Sequence, residues 1–196
     1  MENEKWYELQ GDDTLALNWP LNEDSYVWEI GGYEGRWVAQ MYEKFHCKIT
    51  TFEPQMWAVE RMRTRFNEYN KIDIRPYGLW MEHGEFMLGN FFTDGASLTT
   101  ESPRSGDKGL FVDYKQELEY SDPVDVCLMN IEGAEYTLLP DMIKTGLISH
   151  FNYFWCQFHL KDDPDGTRSR SIFEGMKATH EILWDCFPTA VAWRKK

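Results

Sequence analysis

Residues 27–35 read VWEIGGYEG, and this stretch decides the fold. An apolar strand runs into a carboxylate at Glu29, and a glycine-rich turn leads from it into a helical pattern. A second apolar run, residues 48–53 (KITTFE), follows at the spacing of one βαβ unit and ends in Glu53. In open α/β sheets, two parallel strands of this kind form a nucleoside pocket whose second carboxylate binds the ribose hydroxyls. The pattern therefore predicts a nucleoside ligand held by Glu53.

The chemistry of the turn distinguishes between two classes of nucleoside. A dinucleotide prefers Gly-x-Gly-x-x-Gly, because its pyrophosphate sits on the helix N-terminus. Here Tyr33 replaces the second glycine of that fingerprint, and Glu29 would repel a pyrophosphate but accept hydrogen bonds from an ammonium group. S-adenosylmethionine carries an ammonium, a sulfonium and no phosphate, so the electrostatics favour it over a dinucleotide. We expect Gly31, Gly32 and Gly35 to let this cofactor approach the backbone. A strand–turn–helix without a ligand is the alternative.

Composition and charge bound the class of protein. The 196 residues are 42% hydrophobic, enough for one domain with a full core. Lys plus Arg is 20 and Asp plus Glu is 33, giving a net charge of −13 that would repel phosphate backbones. We therefore expect no nucleic-acid partner, although a local basic patch such as Arg168, Arg170 and residues 194–196 could override the average. The acidic N-terminus and the lack of a long apolar run predict a cytoplasmic protein without a membrane partner. The four scattered cysteines indicate reduced thiols rather than a zinc site.

Periodicity along the chain predicts its organisation. Residues 1–25 are polar with interspersed aromatic residues, and we expect a loosely structured lead-in that packs near the pocket. Residues 26–196 then read as a single α/β domain with a mostly parallel, Rossmann-like sheet, helices on both faces and an antiparallel C-terminal strand. Within it, residues 72–80 read as a third strand paired with residues 86–88, and residues 93–109 as an irregular insert, either a mobile lid or a disordered loop. The oligomeric state is not predicted.

Residues 124–135 read VDVCLMNIEGAE and resemble the most recognisable motif of FkbM-type methyltransferases, in which the strand commonly ends KIDIEGAE. The turn after Glu29, the FEP at residues 52–54 and the YGLW at residues 77–80 are similar to earlier motifs of that family. The resemblance spans residues 25–160. It implies the class I methyltransferase fold, S-adenosylmethionine as cofactor, and O-methylation of a hydroxyl group on a sugar or small metabolite.

The chain departs from the family pattern at three positions. Leu128 and Asn130 stand where the family has lysine and aspartate, and Gln157 stands where it often has glutamate. An asparagine can still donate and accept hydrogen bonds, but it supplies no charge. Two other classes of function therefore stay open: a non-catalytic S-adenosylmethionine-binding module and a nucleotide-cofactor oxidoreductase.

The cofactor contacts can be assigned along the strand ends. Glu53 with the following Pro54 would hold the ribose, and Glu29 would receive the ammonium. By analogy with the fold, Gly78 and Leu79 would lie under the adenine. Asn130 ends the strand of the IEGAE motif, at the edge where open α/β sheets bind ligands.

Two residues are candidates for catalysis. Glu132 could orient the acceptor or act as a base, although a carboxylate at a helix N-terminus is also stabilised by the helix dipole alone. His159 ends the next strand, and as a neutral imidazole it could take the hydroxyl proton, a contribution of roughly 10²–10⁴-fold in rate. His159 with Asp162 and Asp163 could bind a metal, but no ligand spacing demands one, so none is predicted.

Overall fold

The computed structural model describes residues 4–90, 92–93, 95–98 and 108–196. Six helices and eleven strands are numbered here in chain order. The helices are α1 (Glu4–Glu8), α2 (Arg36–Phe45), α3 (Met56–Arg65), α4 (Tyr114–Glu119), α5 (Glu135–Lys144) and α6 (Thr167–Met176). The strands are β1 (Tyr26–Ile30), β2 (Lys48–Phe52), β3 (Ile72–Arg75), β4 (Gly78–Trp80), β5 (Gly84–Gly89), β6 (Ser97–Leu98), β7 (Lys108–Asp113), β8 (Val124–Met129), β9 (Phe151–Gln157), β10 (His180–Cys186) and β11 (Ala190–Lys195).

Seven strands form the main sheet, in the order β10-β11-β9-β8-β1-β2-β3. Within this sheet the adjacent pairs β3–β2, β2–β1, β1–β8 and β8–β9 are parallel. Strand β11 is antiparallel to both β9 and β10. The strand order reverses between β1 and β8, so a crevice opens at their carboxyl ends. The predicted Rossmann-like sheet with an antiparallel C-terminal strand is confirmed.

Both faces of the sheet are covered, because successive side chains of each strand point to opposite faces. Trp28 packs in one core with residues of α4, α5 and α6, and Val27 packs in the other with residues of α2 and α3. Within the part of the chain described here, no helix is long and apolar enough to cross a membrane.

The N-terminal segment is more ordered than its polar sequence suggests. Trp6 is buried and stacks on Trp155 of β9, with ring centroids 5.8 Å apart. Trp19 is also buried and donates its indole N–H to the carbonyl of Ala16 at 2.8 Å. The segment thus packs on the domain through its indole rings, because burying rings of this size outweighs the polarity of the residues between them.

A second, smaller sheet replaces the single strand predicted over residues 72–80. Pro76 carries no backbone N–H and separates β3 from β4, which leaves the main sheet and pairs with β7. Strand β5 pairs with β6 and β7 rather than with β4. The predicted irregular insert thus carries strand residues at both of its ends, while positions 94 and 99–107 lie outside the described residues.

Candidate functional site

A cavity of about 210 Å³ lies at the carboxyl ends of β1, β2 and β8. Two of the eleven residues singled out from the sequence, Gly35 and His159, are not among those that line it. The other nine are brought together in its wall: Glu29, Gly31, Gly32, Glu53, Pro54, Gly78, Leu79, Asn130 and Glu132.

Gly35 has a local structural reason to be glycine. Its backbone is left-handed, with φ +73°, and it caps the N-terminus of α2. A Cβ atom there would come within 2.6 Å of the Phe66 ring. Gly35 therefore allows the turn to pack against the residue that follows α3, and this geometry offers no direct contact with a ligand in the cavity.

Glu53 is held rigidly by the backbone on both sides. Its Oε2 accepts the N–H of Tyr33 at 2.7 Å, and its Oε1 accepts the N–H of Gln55 at 2.8 Å. The residue is only 4% exposed. Burial raises the pKa of this carboxyl to about 7, against the opposing effect of the two backbone hydrogen bonds. The carboxylate is thus fixed in place before any ligand arrives.

Glu29 is the more strongly perturbed of the two acids. It pairs in register with Thr51 of β2, whose hydroxyl donates to its Oε2 at 2.7 Å. Burial raises the pKa of Glu29 to about 8 despite this hydrogen bond, and the charge of Glu53 raises it further. Two buried carboxyls that repel each other create a strong preference for a cationic ligand, because a positive charge would restore their ionised forms.

Two residues that line the cavity each carry a buried side-chain atom without a hydrogen-bond partner among the described residues. They are the side-chain oxygen of Asn130 and the indole nitrogen of Trp155. Most buried polar groups in proteins are hydrogen-bonded. One free acceptor and one free donor in the same wall therefore fit a ligand that carries both kinds of group.

A second acidic group lies beyond the ends of β8 and β9. His159 bridges two carboxylates: its Nε2 lies 2.8 Å from Oε1 of Glu132, and its Nδ1 lies 2.9 Å from Oε1 of Glu135. Burial alone would lower the pKa of His159, but hydrogen bonds to Glu132 and Glu135 outweigh it and raise the pKa to about 9. Burial also acts to raise the pKa of Glu132, yet His159 and Lys161 lower it overall.

This geometry does not provide the neutral general base expected at His159. Both ring nitrogens are occupied by carboxylates, and the ring is a cation at neutral pH. An imidazolium has no lone pair with which to accept a proton. Glu132 is the member of this group that faces the cavity.

Of the two neighbouring aspartates, Asp163 accepts hydrogen bonds from the backbone. Asp163 is buried and accepts the N–H groups of Arg168 and Ser169 at the start of α6. In the described ranges, no three His, Cys, Asp or Glu side chains are grouped in a way that could hold a metal ion.

Sequence reasoning missed one side of the cavity wall. Trp37 of α2 donates its indole N–H to the Ala16 carbonyl at 2.9 Å and ties this helix to the N-terminal segment. Gln157 had been noted only as a departure from the family, yet its place at the carboxyl end of β9 was a usable signal. The N-terminal segment, which was expected to pack near the pocket, contributes Asp12 and Ala16 to the wall, although no periodicity indicates which of its residues do so. The wall residues on this side are Asp12, Ala16, Arg36, Trp37, Gln40, Trp155 and Gln157.

No protein-family model matches this sequence, and no curated protein matches it. Solved structures do resemble the chain. A rRNA methylase from Streptococcus thermophilus has a TM-score of 0.54 at 11% identity, with 95% of this chain and 94% of that chain covered. The 23S rRNA methyltransferase ErmE has a TM-score of 0.56 at 12% identity, covering 95% and 68%. A SAH-bound methyltransferase from Podospora anserina has a TM-score of 0.52 at 13% identity, covering 97% and 76%.

These neighbours overturn one expectation from the sequence. The net charge of −13 led us to exclude a nucleic-acid partner, but two proteins of this fold are rRNA methyltransferases. Net charge averages the whole surface, whereas contact with a nucleic acid is local. The charge argument was therefore wrong as an exclusion. What the similarity establishes for this chain is its architecture: it has the Rossmann-like fold of the class I methyltransferases.

Proposed function

We propose that this chain binds S-adenosylmethionine in the cavity and methylates a hydroxyl group of a sugar or small metabolite. The observation that carries the proposal is the meeting of two buried carboxyls, Glu29 and Glu53, at the ends of adjacent parallel strands, with no ion pair to either of them among the described residues. A cationic adenosine compound matches both their charge and their position. We propose a hydroxyl group as the acceptor because the sequence resembles the FkbM-type methyltransferases.

The residues present fit the cofactor. Glu53 offers a fixed carboxylate for two vicinal ribose hydroxyls, with Pro54 beside it. Glu29 and the unpartnered oxygen of Asn130 are acceptors for the ammonium group, and the unpartnered Trp155 nitrogen is a donor for the carboxylate. Gly31 and Gly32 would let the cofactor come close to the backbone, and Gly78 and Leu79 would lie under the adenine.

Binding and proton release are linked at Glu29. With a pKa of about 8, its carboxyl carries a proton at neutral pH in the protein alone. An ammonium group beside it favours the ionised form, so binding would release a proton to solvent. Below the pKa of Glu29, the free energy needed to remove this proton weakens binding. Above that pKa no proton has to be removed, so binding no longer depends on pH.

The acceptor would lie on the Glu132 side of the cavity. When bound, S-adenosylmethionine supplies a methyl group on a positively charged sulfur. Holding the acceptor oxygen in line with that methyl is the main contribution that the chain can make. The Glu132 carboxylate would hold the proton that the hydroxyl loses, and its low pKa is no obstacle because a methylated, still protonated hydroxyl is a very strong acid.

The proposal is tested first by binding and then by transfer. Calorimetry at pH 8 should give heat with S-adenosylhomocysteine and none with NADH. The reverse result would favour the oxidoreductase alternative, and heat with neither would reject a nucleoside cofactor.

Transfer is tested with methyl-labelled S-adenosylmethionine and a panel of glycosides, hydroxylated metabolites and RNA. Label in an ether on a sugar or metabolite supports the proposal, label in RNA reassigns the acceptor, and cofactor binding without any transfer favours the non-catalytic module.

A further inference from the structure

A continuous chain of hydrogen bonds leads from the protein interior to the cavity. Glu135 is fully buried, the side chain of His159 is 12% exposed, and that of Glu132 is 16% exposed. The three side chains are joined at the imidazole by contacts of 2.9 and 2.8 Å. Exposure thus rises step by step toward the residue that lines the cavity.

The inner end of this chain is anchored by the backbone. Oε2 of Glu135 accepts the N–H of Gly133 at 2.8 Å, and its Oε1 accepts the N–H of His159 at 3.1 Å. The carboxylate therefore bonds to the loop after β8 and to the second residue after β9. Because it also contacts Nδ1 of His159, it fixes the plane of the ring as well as the position of its backbone.

The outer end of the chain is held in an uncommon backbone conformation. Glu132 has φ +54°, and the next residue, Gly133, has φ +102°. A non-glycine residue in this region costs about 1 kcal/mol, and it persists where the surroundings determine it. Lys161 is a second cation on Glu132, with its Nζ 3.5 Å from Oε2. The Glu132 carboxylate is thus oriented from two sides and turned toward the cavity.

We propose that Glu135 and His159 are positioning residues, which hold the Glu132 carboxylate ready to accept a hydrogen bond from the donor group of the methyl acceptor. The inference rests on the proposed function, since it takes the cavity to be the cofactor site. In it His159 acts as a fixed cation, and the cavity-facing oxygen atoms belong to Glu132.

A matched pair of ligands tests this inference without a known acceptor. S-adenosylhomocysteine has a neutral thioether sulfur between its adenosine and its amino acid part, whereas sinefungin has at that place a carbon that carries an ammonium group. The ammonium lies where a transferred methyl would be, so it probes the carboxylate directly. The quantity to measure by calorimetry is the ratio of the two dissociation constants, which cancels all contacts that the ligands share.

Three substitutions should change that ratio in a defined way. Glu132→Gln should reduce the preference for sinefungin roughly tenfold, because a charge-assisted hydrogen bond is lost. His159→Gln and Glu135→Gln should also reduce the preference for sinefungin, but by a smaller factor than Glu132→Gln. The variant with both substitutions should show the same preference as His159→Gln alone. Glu174→Gln, at a surface side chain that is 71% exposed, is the matched control and should leave the ratio unchanged.

The outcomes separate the inference from the proposed function. If S-adenosylhomocysteine fails to bind the wild-type protein, the proposed function falls and the inference falls with it. If it binds but His159→Gln leaves the ratio unchanged or increases the preference for sinefungin, His159 is a bystander or a competing charge, and the inference alone is overturned.

A measurement on the wild-type protein covers the case in which Glu135→Gln does not fold. Nitrogen-15 NMR of the imidazole, assigned with His159→Gln, should show both ring nitrogens of His159 protonated at pH 7.5. A neutral His159 ring at that pH would overturn the inference.

Discussion

Two acidic clusters lie at the same edge of the sheet, and they are built in opposite ways. At the ends of β1 and β2, Glu29 and Glu53 are buried side by side, and both have raised pKa values. Beyond β8 and β9, Glu132 and Glu135 lie on either side of His159, and the pKa of Glu132 is lowered. Among the residues that the structure describes, no cation pairs with the first cluster, whereas the second contains the His159 ring.

The difference explains what each cluster can do. A pair of carboxyls that burial forces to hold protons is poised for a ligand that brings its own positive charge. A pair that already shares an imidazolium needs no ligand charge to hold it in place, and its geometry is fixed. The first cluster is suited to binding a charged cofactor, and the second to holding one oxygen atom in a set direction.

The largest expected effect is the loss of cofactor binding when Glu53 is removed. Glu53→Ala should weaken binding of S-adenosylhomocysteine roughly 100-fold, because two hydrogen bonds from hydroxyls to a charged group are lost. Calorimetry at pH 8 measures it. Glu60→Gln, on the exposed side of α3, is the control, and equal affinities in the two variants would contradict the ribose assignment.

The next effect is the pH dependence of binding in the wild-type protein. Affinity for S-adenosylhomocysteine should rise between pH 6 and pH 8, by up to about tenfold per pH unit, and level off above the pKa of Glu29. Tryptophan fluorescence titrations across this range measure it. A flat profile would mean that no carboxyl loses a proton when the ligand binds.

Glu29→Gln should separate stability from binding. A carboxyl whose pKa is raised by folding binds more protons in the folded state, so its stabilising effect is greatest at low pH and is lost as pH rises toward about 8. The variant should therefore melt several degrees higher than the wild type at pH 8, and almost equally at pH 5, while its affinity falls roughly tenfold. Thermal scans of both proteins at both pH values check this. A variant that melts below the wild type at pH 8 would contradict the prediction that the Glu29 carboxyl destabilises the fold at that pH.

The smallest effect is expected at His159. Its pKa is raised by folding, so its stabilisation is complete below about pH 6.5 and is lost as pH rises through about 9. His159→Gln should melt a few degrees below the wild type at pH 6, and the gap should close by pH 9.5. His83→Gln, at an exposed position, is the control. A gap that does not vary with pH would indicate that packing alone is lost.

The fold and one side of the site could be predicted because they follow from local patterns. The strand endings at Glu29 and Glu53 and the turn between them are short-range features, and a parallel sheet brings such endings together at one edge. The small sheet was missed over residues 72–80 although the sequence carries a signal for it, since Pro76 interrupts a run that otherwise reads as one strand.

The charge state of His159 and the far wall of the cavity depend on contacts between distant residues. The sequence indicates that His159 follows a strand, but not that Glu132 and Glu135, 27 and 24 residues earlier, meet both of its nitrogens. The contact between Ala16 and Trp37 is likewise invisible to periodicity, since the N-terminal segment has none.

The most direct test of the central claim is a crystal structure of the protein grown with S-adenosylhomocysteine. We predict that both ribose hydroxyls will donate to Glu53 and that the ammonium group will lie against Glu29. Ligand bound away from these two carboxylates, or a cavity left empty at saturating ligand, would contradict the account.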